Sequence, residues 1–210
     1  MEKLIWHTMM SLDGYIAGRD DDMDWVFGAD GGSGETVAEV LRSTGALLVG
    51  RRTQDVEDRL QPGFYGGAFS GPFFVLRHDP PAEPPVVKGA TGRFLDVGIE
   101  EAVSIAREAA GGSDVIVLGA NIARQCIEAG LLDEIIIHVV PILVGGGIRL
   151  FERPDGDPVR LIPTASIEEG ETTVLRYSVS RQGRSIEPRP SVDCLPPDSQ
   201  KPCGSRSLRR

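Results

Sequence analysis

Three stretches of this 210-residue chain place cations, a hydroxyl and small residues directly after apolar runs. Gly50-Arg51-Arg52-Thr53 follows Ala46-Leu47-Leu48-Val49, Arg77-His78 follows Phe73-Phe74-Val75-Leu76, and Gly119-Ala120-Asn121 follows the run at 114–118. Where a buried strand passes into a helix, unpaired N–H groups and the positive end of the helix dipole favour an anion. Arg51 or Arg52 together with Arg77 adds charge-assisted donors that suit a phosphate monoester. The small residues at 119–121 let such a group approach the backbone. Ligands of open parallel sheets sit outside the carboxyl ends of the strands, so the three junctions predict one anion-binding crevice. Taken singly, each arginine also reads as a solvated surface residue. No GxxxxGK[ST] sequence occurs, and the glycine-rich stretch 28–34 does not join a strand to a helix as a dinucleotide fingerprint does.

A fourth stretch, TMMSLDGYIAG, closes an apolar run, passes through the turn formers Ser11, Asp13 and Gly14, and returns to the small apolar patch Tyr15-Ile16-Ala17-Gly18. Asp13 has two readings: a carboxylate that orients substrate, or an Asp that hydrogen-bonds its own turn.

The elements that must hold these residues follow from periodicity. Strands are predicted at 3–10, 46–49, 73–76, near 93–97 and at 114–118, with helices at 35–43, about 51–60, 99–110 and 121–129. Gly130 is well placed to end the last helix. Fully apolar strands alternating with helices predict a largely parallel sheet covered on both faces. The strand-like runs 134–140, 159–167 and 172–180 have no helix between them, which predicts an antiparallel edge. The polar stretch between the first strand and the helix at 35 carries Asp20, Asp21, Asp22, Asp24 and, after them, four glycines; a connection of that length is a candidate lid.

With 40% hydrophobic and 25% charged residues, the chain has the balance of a soluble globular protein. One folded domain is expected over residues 1–180, and a Pro-, Ser- and Arg-rich tail over 181–210 is expected to be disordered. The net charge of −9 argues against a nucleic-acid or acidic-membrane surface. No apolar run approaches the roughly 20 residues that span a bilayer, so a cytoplasmic location is expected. Cys126, Cys194 and Cys203 lack metal-ligand or disulfide-framework spacing and read as reduced thiols. His7 and His138 lie in strand-like runs and read as packed core or interface residues. The acidic run 20–24 lacks the central glycine and terminal Glu of a calcium loop.

SLDGYIAG after the first strand, VGRRT after the second, and VLGANIARQCIEAGLLDEIIIHVVPILVGGGIRLF near the end together resemble the dihydrofolate reductase-like superfamily. Specifically, they are similar to single-domain relatives of the C-terminal reductase domain of the bifunctional riboflavin-biosynthesis deaminase-reductase. The resemblance covers about residues 1–180. It implies a dihydrofolate reductase-like α/β fold: a mostly parallel sheet of about eight strands, an antiparallel C-terminal edge and helices on both faces. It also implies NADPH as hydride donor to a small heterocyclic substrate, a pteridine or a riboflavin-pathway pyrimidine-like compound. Family positions fall on Gly50, Arg51 and Thr53 for phosphate contacts, and on Leu76, Arg77 and His78 near the 2′-phosphate. Gly119, Ala120, Asn121, Ile122 and Ala123 fall at the pyrophosphate turn, and Ile16 and Ala17 beside the nicotinamide. Asp13 points towards substrate in relatives.

Dihydrofolate reductases carry a Gly-Gly pair where this chain has Leu118-Gly119, and a buried carboxylate a few residues beyond a tryptophan. Trp25 and Asp30 occupy similar offsets, and Asp30 also reads as a solvated loop acid. No zinc-ligand triad for a deaminase domain occurs. Two rival readings are a non-catalytic NADP(H)-binding sensor and a true dihydrofolate reductase that would use Asp30. A homodimer through the late antiparallel strands is a further expectation from relatives.

Overall fold

In a computed structural model, which describes residues 2–27, 34–60, 63–88, 90–154 and 156–180, the apolar runs become the inner strands of one sheet. They are β1 (Leu4–Ser11), β3 (Thr44–Gly50), β4 (Phe73–Leu76), β8 (Asp114–Leu118) and β9 (Glu134–Val140). The eight-stranded sheet has the order β11-β12-β9-β1-β8-β3-β4-β7, with β7 at Arg93–Leu95, β11 at Leu161–Glu169 and β12 at Thr172–Val179. Pairing from β9 through β1, β8, β3 and β4 to β7 is parallel throughout. β12 pairs antiparallel with both β9 and β11. The mostly parallel sheet with an antiparallel C-terminal edge therefore stands as the sequence predicts.

Strand alternation sends successive side chains to opposite faces. Leu4, Trp6, Leu48, Val115, Val117, Ile135 and Ile137 form one core with α4 (Ile99–Ala110) and α5 (Ala120–Glu128). Ile5, Leu47, Val49, Val75, Ile116, Ile136 and Val174 form the other, with Val40 of α2 (Glu35–Ser43) and Phe64. Each such fully buried side chain contributes about 2 kcal/mol. Helices thus cover both faces, which is why the central strands are apolar on both sides.

α2 has no side-chain cap of its own. The Glu169 carboxylate, at the end of β11, accepts from the Thr36 N–H at 2.9 Å and the Thr36 hydroxyl at 2.6 Å, complementing the dipole at that helix end. A Cβ at Gly34 would lie 2.0 Å from Glu169 Oε2, so glycine there is what lets the carboxylate close in.

Short elements differ from expectation because two or three residues carry no periodicity. Tyr15–Ala17 forms β2, paired antiparallel with β10 (Ile148–Arg149). The predicted long loop contains a 3-10 turn at Arg19–Asp21 and α1 (Asp24–Phe27). The Pro-rich linker holds the hairpin β5 (Val86–Val87) and β6 (Ala90–Thr91). α3 spans Arg51–Leu60. Among the described residues no helix is long and apolar enough to cross a membrane. The tail 181–210 lies outside the described residues.

Candidate active site

Register brings the three cationic and small-residue junctions side by side. Gly50 is the partner of Leu76, and Val49 is the partner of Leu118, so β8, β3 and β4 end in one row. α3 follows β3 and α5 follows β8, and each helix start lies against the end of the other strand. A Cβ on Gly50 would meet Ile122 Cγ1 at 3.1 Å, and one on Gly119 would meet Thr53 Oγ1 at 2.8 Å. Gly119 also has φ +98°, a conformation that other residues adopt only at a cost. Beside it, Leu118 still belongs to β8, so the crowded turn position is Gly119 itself.

α5 has no side-chain cap, so its first N–H groups are left without helical partners. Ala123 donates its N–H to Gly119 O at 3.2 Å, and its side chain is wholly buried, as is that of Ile122. Ala120, Asn121 and Ile122 therefore carry the N–H groups the helix leaves over, while Ala123 serves the helix and the core. Asn121 Oδ1 accepts from Arg124 Nη2 at 3.0 Å.

The cations are held differently from one another. Arg51 is exposed and lies 3.7 Å from Asp55 across one helical turn. Arg77 is half-buried with its guanidinium 5.5 Å from the Phe94 ring centre, and its Nε is buried without a partner. A buried guanidinium donor without an acceptor is costly. His78 is exposed and pairs through Nδ1 with Asp96 at 2.9 Å.

At the mouth, Ser11 to Gly14 is a turn closed by the Gly14 N–H on Ser11 O at 2.9 Å. Asp13 does more than brace this turn. Oδ1 accepts from Ser11 Oγ at 2.6 Å and from the Val144 N–H at 3.1 Å, and Oδ2 accepts from the Gly145 N–H at 2.7 Å. These hydrogen bonds, the one from Ser11 above all, hold its pKa down to about 2. Asp13 thus clamps the turn after β1 to the glycine-rich loop after β9. Ile16 and Ala17 lie on β2, with Ala17 buried.

α3 fixes the segment beyond. Arg59 donates to Asp20 O at 3.2 Å and to Asp21 O at 2.7 Å, and Arg52 lies 3.8 Å from the Asp21 carboxylate. Asp20 and Asp21 both have positive φ. Trp25, on α1, donates its indole N–H to Asp22 O at 3.2 Å. Asp30 lies outside the described residues.

The structure adds a cluster that the sequence treated as separate core residues. His7 and His138, on adjacent strands, meet Nε2 to Nε2 at 2.7 Å, and His7 Nδ1 lies 2.7 Å from the Tyr65 hydroxyl. Burial drives the His7 pKa down to about 3, with the neighbouring His138 and Arg176 adding to the shift. Burial also lowers His138 and raises Tyr65. Tyr65 gave no signal beyond its place in GFYGG, and it adopts φ +56°.

The three junctions fit a dinucleotide phosphate group: at Gly50 and Gly119 a Cβ would be crowded, α5 offers unpaired N–H groups, and Arg77 keeps a buried donor free. Residues 2–68 and 69–175 match the RibD C-terminal domain family. A Bacillus subtilis (strain 168) protein, "Uncharacterized protein YwjB", is 25% identical over 176 residues, covering 83% of this chain and 97% of that one. A crystal structure described as a "Putative riboflavin biosynthesis protein" from Shewanella sp. PV-4 has a TM-score of 0.71 at 22% identity, covering 85% of this chain and 99% of its own. The Saccharomyces cerevisiae riboflavin biosynthesis reductase Rib7 gives 0.55 at 15% identity, covering 85% and 90%. The matched residues span most of the chain: it belongs to the RibD C-terminal domain family.

Proposed function

We propose that the protein is an NADPH-dependent reductase that transfers a hydride to a small heterocyclic ring, a pteridine or a pyrimidine-like compound of riboflavin type. The observation that carries this reading is the row of strand ends, where a Cβ on Gly50 would crowd Ile122 and one on Gly119, at a left-handed φ, would clash with Thr53. Gly50, Arg51, Thr53 and the N–H groups of Ala120, Asn121 and Ile122 would hold phosphate groups, with Leu76 and Arg77 beside the 2′-phosphate. When bound, NADPH would supply the hydride. The chain's own work is then positional: reacting atoms must be brought to about 3 to 3.5 Å, and that alignment supplies much of the rate. The Asp13 clamp keeps the two loops of the mouth in register, and Arg59 keeps the 19–22 turn against α3.

A proton must also reach the reduced ring. Asp13, ionised down to about pH 2, holds no proton to give at neutral pH. That same engagement of both Asp13 oxygens favours, as a second reading, an NADP(H)-binding protein that does not turn over.

Titration with NADPH and NADH, followed through Trp6 and Trp25 fluorescence, tests the first step. Trp25, half-exposed beside the 19–22 turn, should respond, while Trp6, 1% exposed, reports global change. Micromolar NADPH binding with much weaker NADH binding supports the assignment, and NADPH oxidation dependent on an added heterocycle separates reductase from sensor. Failure to bind either cofactor overturns both readings.

A further inference from the structure

Six large hydrophobic side chains stand exposed among the described residues, and three of them meet at one place. Leu12 is 63% exposed, Leu143 71% and Ile142 36%, and the Leu12 N–H donates to Ile142 O at 2.9 Å. A single surface leucine needs no explanation, but a contiguous apolar patch marks a contact. The patch is also held still. The Asp13 carboxylate, next to Leu12, accepts from the Val144 and Gly145 N–H groups, so Leu143 lies between residues whose backbones are fixed by hydrogen bonds. A partner that settles on such a preorganised surface orders little that was free before.

Register shows where the patch stands. β1 pairs with β8 as far as Trp6, opposite Val117, and β8 ends one residue later at Leu118. β1 runs on through Thr8 to Ser11, still paired with β9 up to Ser11 and Val140. These two strands therefore form a wall about 13 Å high above the β8 end, at roughly 3.3 Å per residue, and the three aliphatic side chains top it. The row of strand ends proposed for the dinucleotide lies at its foot. The size of the patch selects among occupants. Three partly exposed side chains offer on the order of 300 Å², well short of the about 800 Å² that each side of a standard protein interface buries, so the patch suits a small group. Its chemistry selects further. Both oxygens of Asp13 are already engaged, leaving the aliphatic surface as what Leu12, Ile142 and Leu143 present. The cations of this end are Arg19, whose Nε would lie 3.2 Å from a Cβ on Gly146, and Arg149, held 4.9 Å over the Tyr15 ring and 3.5 Å from Glu152; they make an anionic group the rival occupant.

We propose that Leu12, Ile142 and Leu143 form an apolar lip that selects a heterocycle carrying an uncharged, apolar substituent, an inference that rests on the reductase reading above. A ring that accepts a hydride from the foot of the wall rests against β1, and the group it carries on its far side reaches the lip. Burial of that group against the leucines strengthens binding in proportion to its apolar area. The lip touches the substituent and not the reacting atoms, so it sets which ring is reduced and takes no part in the transfer itself.

The test uses the full chain, NADPH and two ring series, dihydropterins and pyrimidinediones, each bearing hydrogen, butyl or carboxyethyl at one ring position. Wild type should favour the butyl member over the unsubstituted ring by about 10-fold in kcat/KM, the effect of covering part of a short alkyl chain. The double variant Leu12→Ser, Leu143→Ser, checked for folding by its melting curve, should bring that ratio close to one. No preference for butyl, a preference for carboxyethyl, or a ratio that the double variant leaves unmoved overturns the lip alone; if light scattering then shows a smaller particle for the variant, the patch is a contact between copies of the chain. Wild-type protein that oxidises NADPH with no member of either series overturns the reductase reading, and the lip with it.

Discussion

The carboxyl edge of the sheet is built by opposite means in its two halves. Across β8, β3 and β4 the working surface is backbone: glycines at 50 and 119 and the N–H groups that begin α3 and α5, with Arg51 and Arg77 beside them. Across β1 and β9 it is side chains: the Asp13 clamp at the edge and, further inside the sheet, the buried His7, His138 and Tyr65 cluster. A backbone surface is rigid and indifferent to titration. A side-chain network is specific, dependent on long-range register, and sensitive to pH.

The largest expected effect probes the first half. Replacing Arg51 and Arg77 together with Ala should weaken NADPH binding by roughly 2 to 4 kcal/mol while NADH changes little; equal losses in parallel titrations would remove the 2′-phosphate assignment. Next comes Gly119→Ala. A Cβ at φ +98° and 2.8 Å from Thr53 Oγ1 should cost about 1 to 3 kcal/mol in stability and reduce affinity for both cofactors alike. A urea midpoint equal to wild type would mean the turn relaxes freely, and the backbone half would be less rigid than described.

The second half should reveal itself in acid. The unfolded chain protonates His7 near its ordinary value of 6.5, whereas the native chain resists until about pH 3. Between those limits the unfolded state binds the extra proton, so stability falls as pH falls, by roughly 1 kcal/mol per unit from this residue. Denaturant midpoints across pH 7 to 4 should drop more steeply for wild type than for His7→Gln; parallel curves would show that the pair is not held neutral. The smallest effect is a control on α5. Arg124 grips both oxygens of Glu128 at 2.9 and 3.0 Å, yet this is a partly exposed pair one turn apart. Arg124→Ala should therefore cost only about 0.3 to 0.5 kcal/mol and leave NADPH affinity intact, since the cradle uses backbone groups.

The two halves also differed in how plainly the sequence displayed them. Gly50-Arg51, Leu76-Arg77 and Gly119-Ala120 stand where consecutive apolar residues stop, so a local pattern locates each, and a parallel sheet then aligns them. Asp13 could be singled out but not interpreted, because its partners Val144 and Gly145 lie 131 and 132 residues away. The two histidines are likewise 131 residues apart, and only the adjacency of β1 and β9 joins them. Tyr65 depends on a left-handed backbone conformation that no periodicity signals. Ala123 was grouped with its neighbours at the pyrophosphate turn, while the first hydrogen bond of α5 already uses its N–H.

Glu169 on the Thr36 N–H links the last hairpin of the sheet to the first long helix. During synthesis, α2 emerges early but lacks its acceptor until β11 has been made, and β9 lacks its outer neighbour until β12 follows. That side of the sheet is therefore completed from the chain's far end. A released chain ending before residue 161 should leave α2 open to protease, and one extended through residue 180 should protect it.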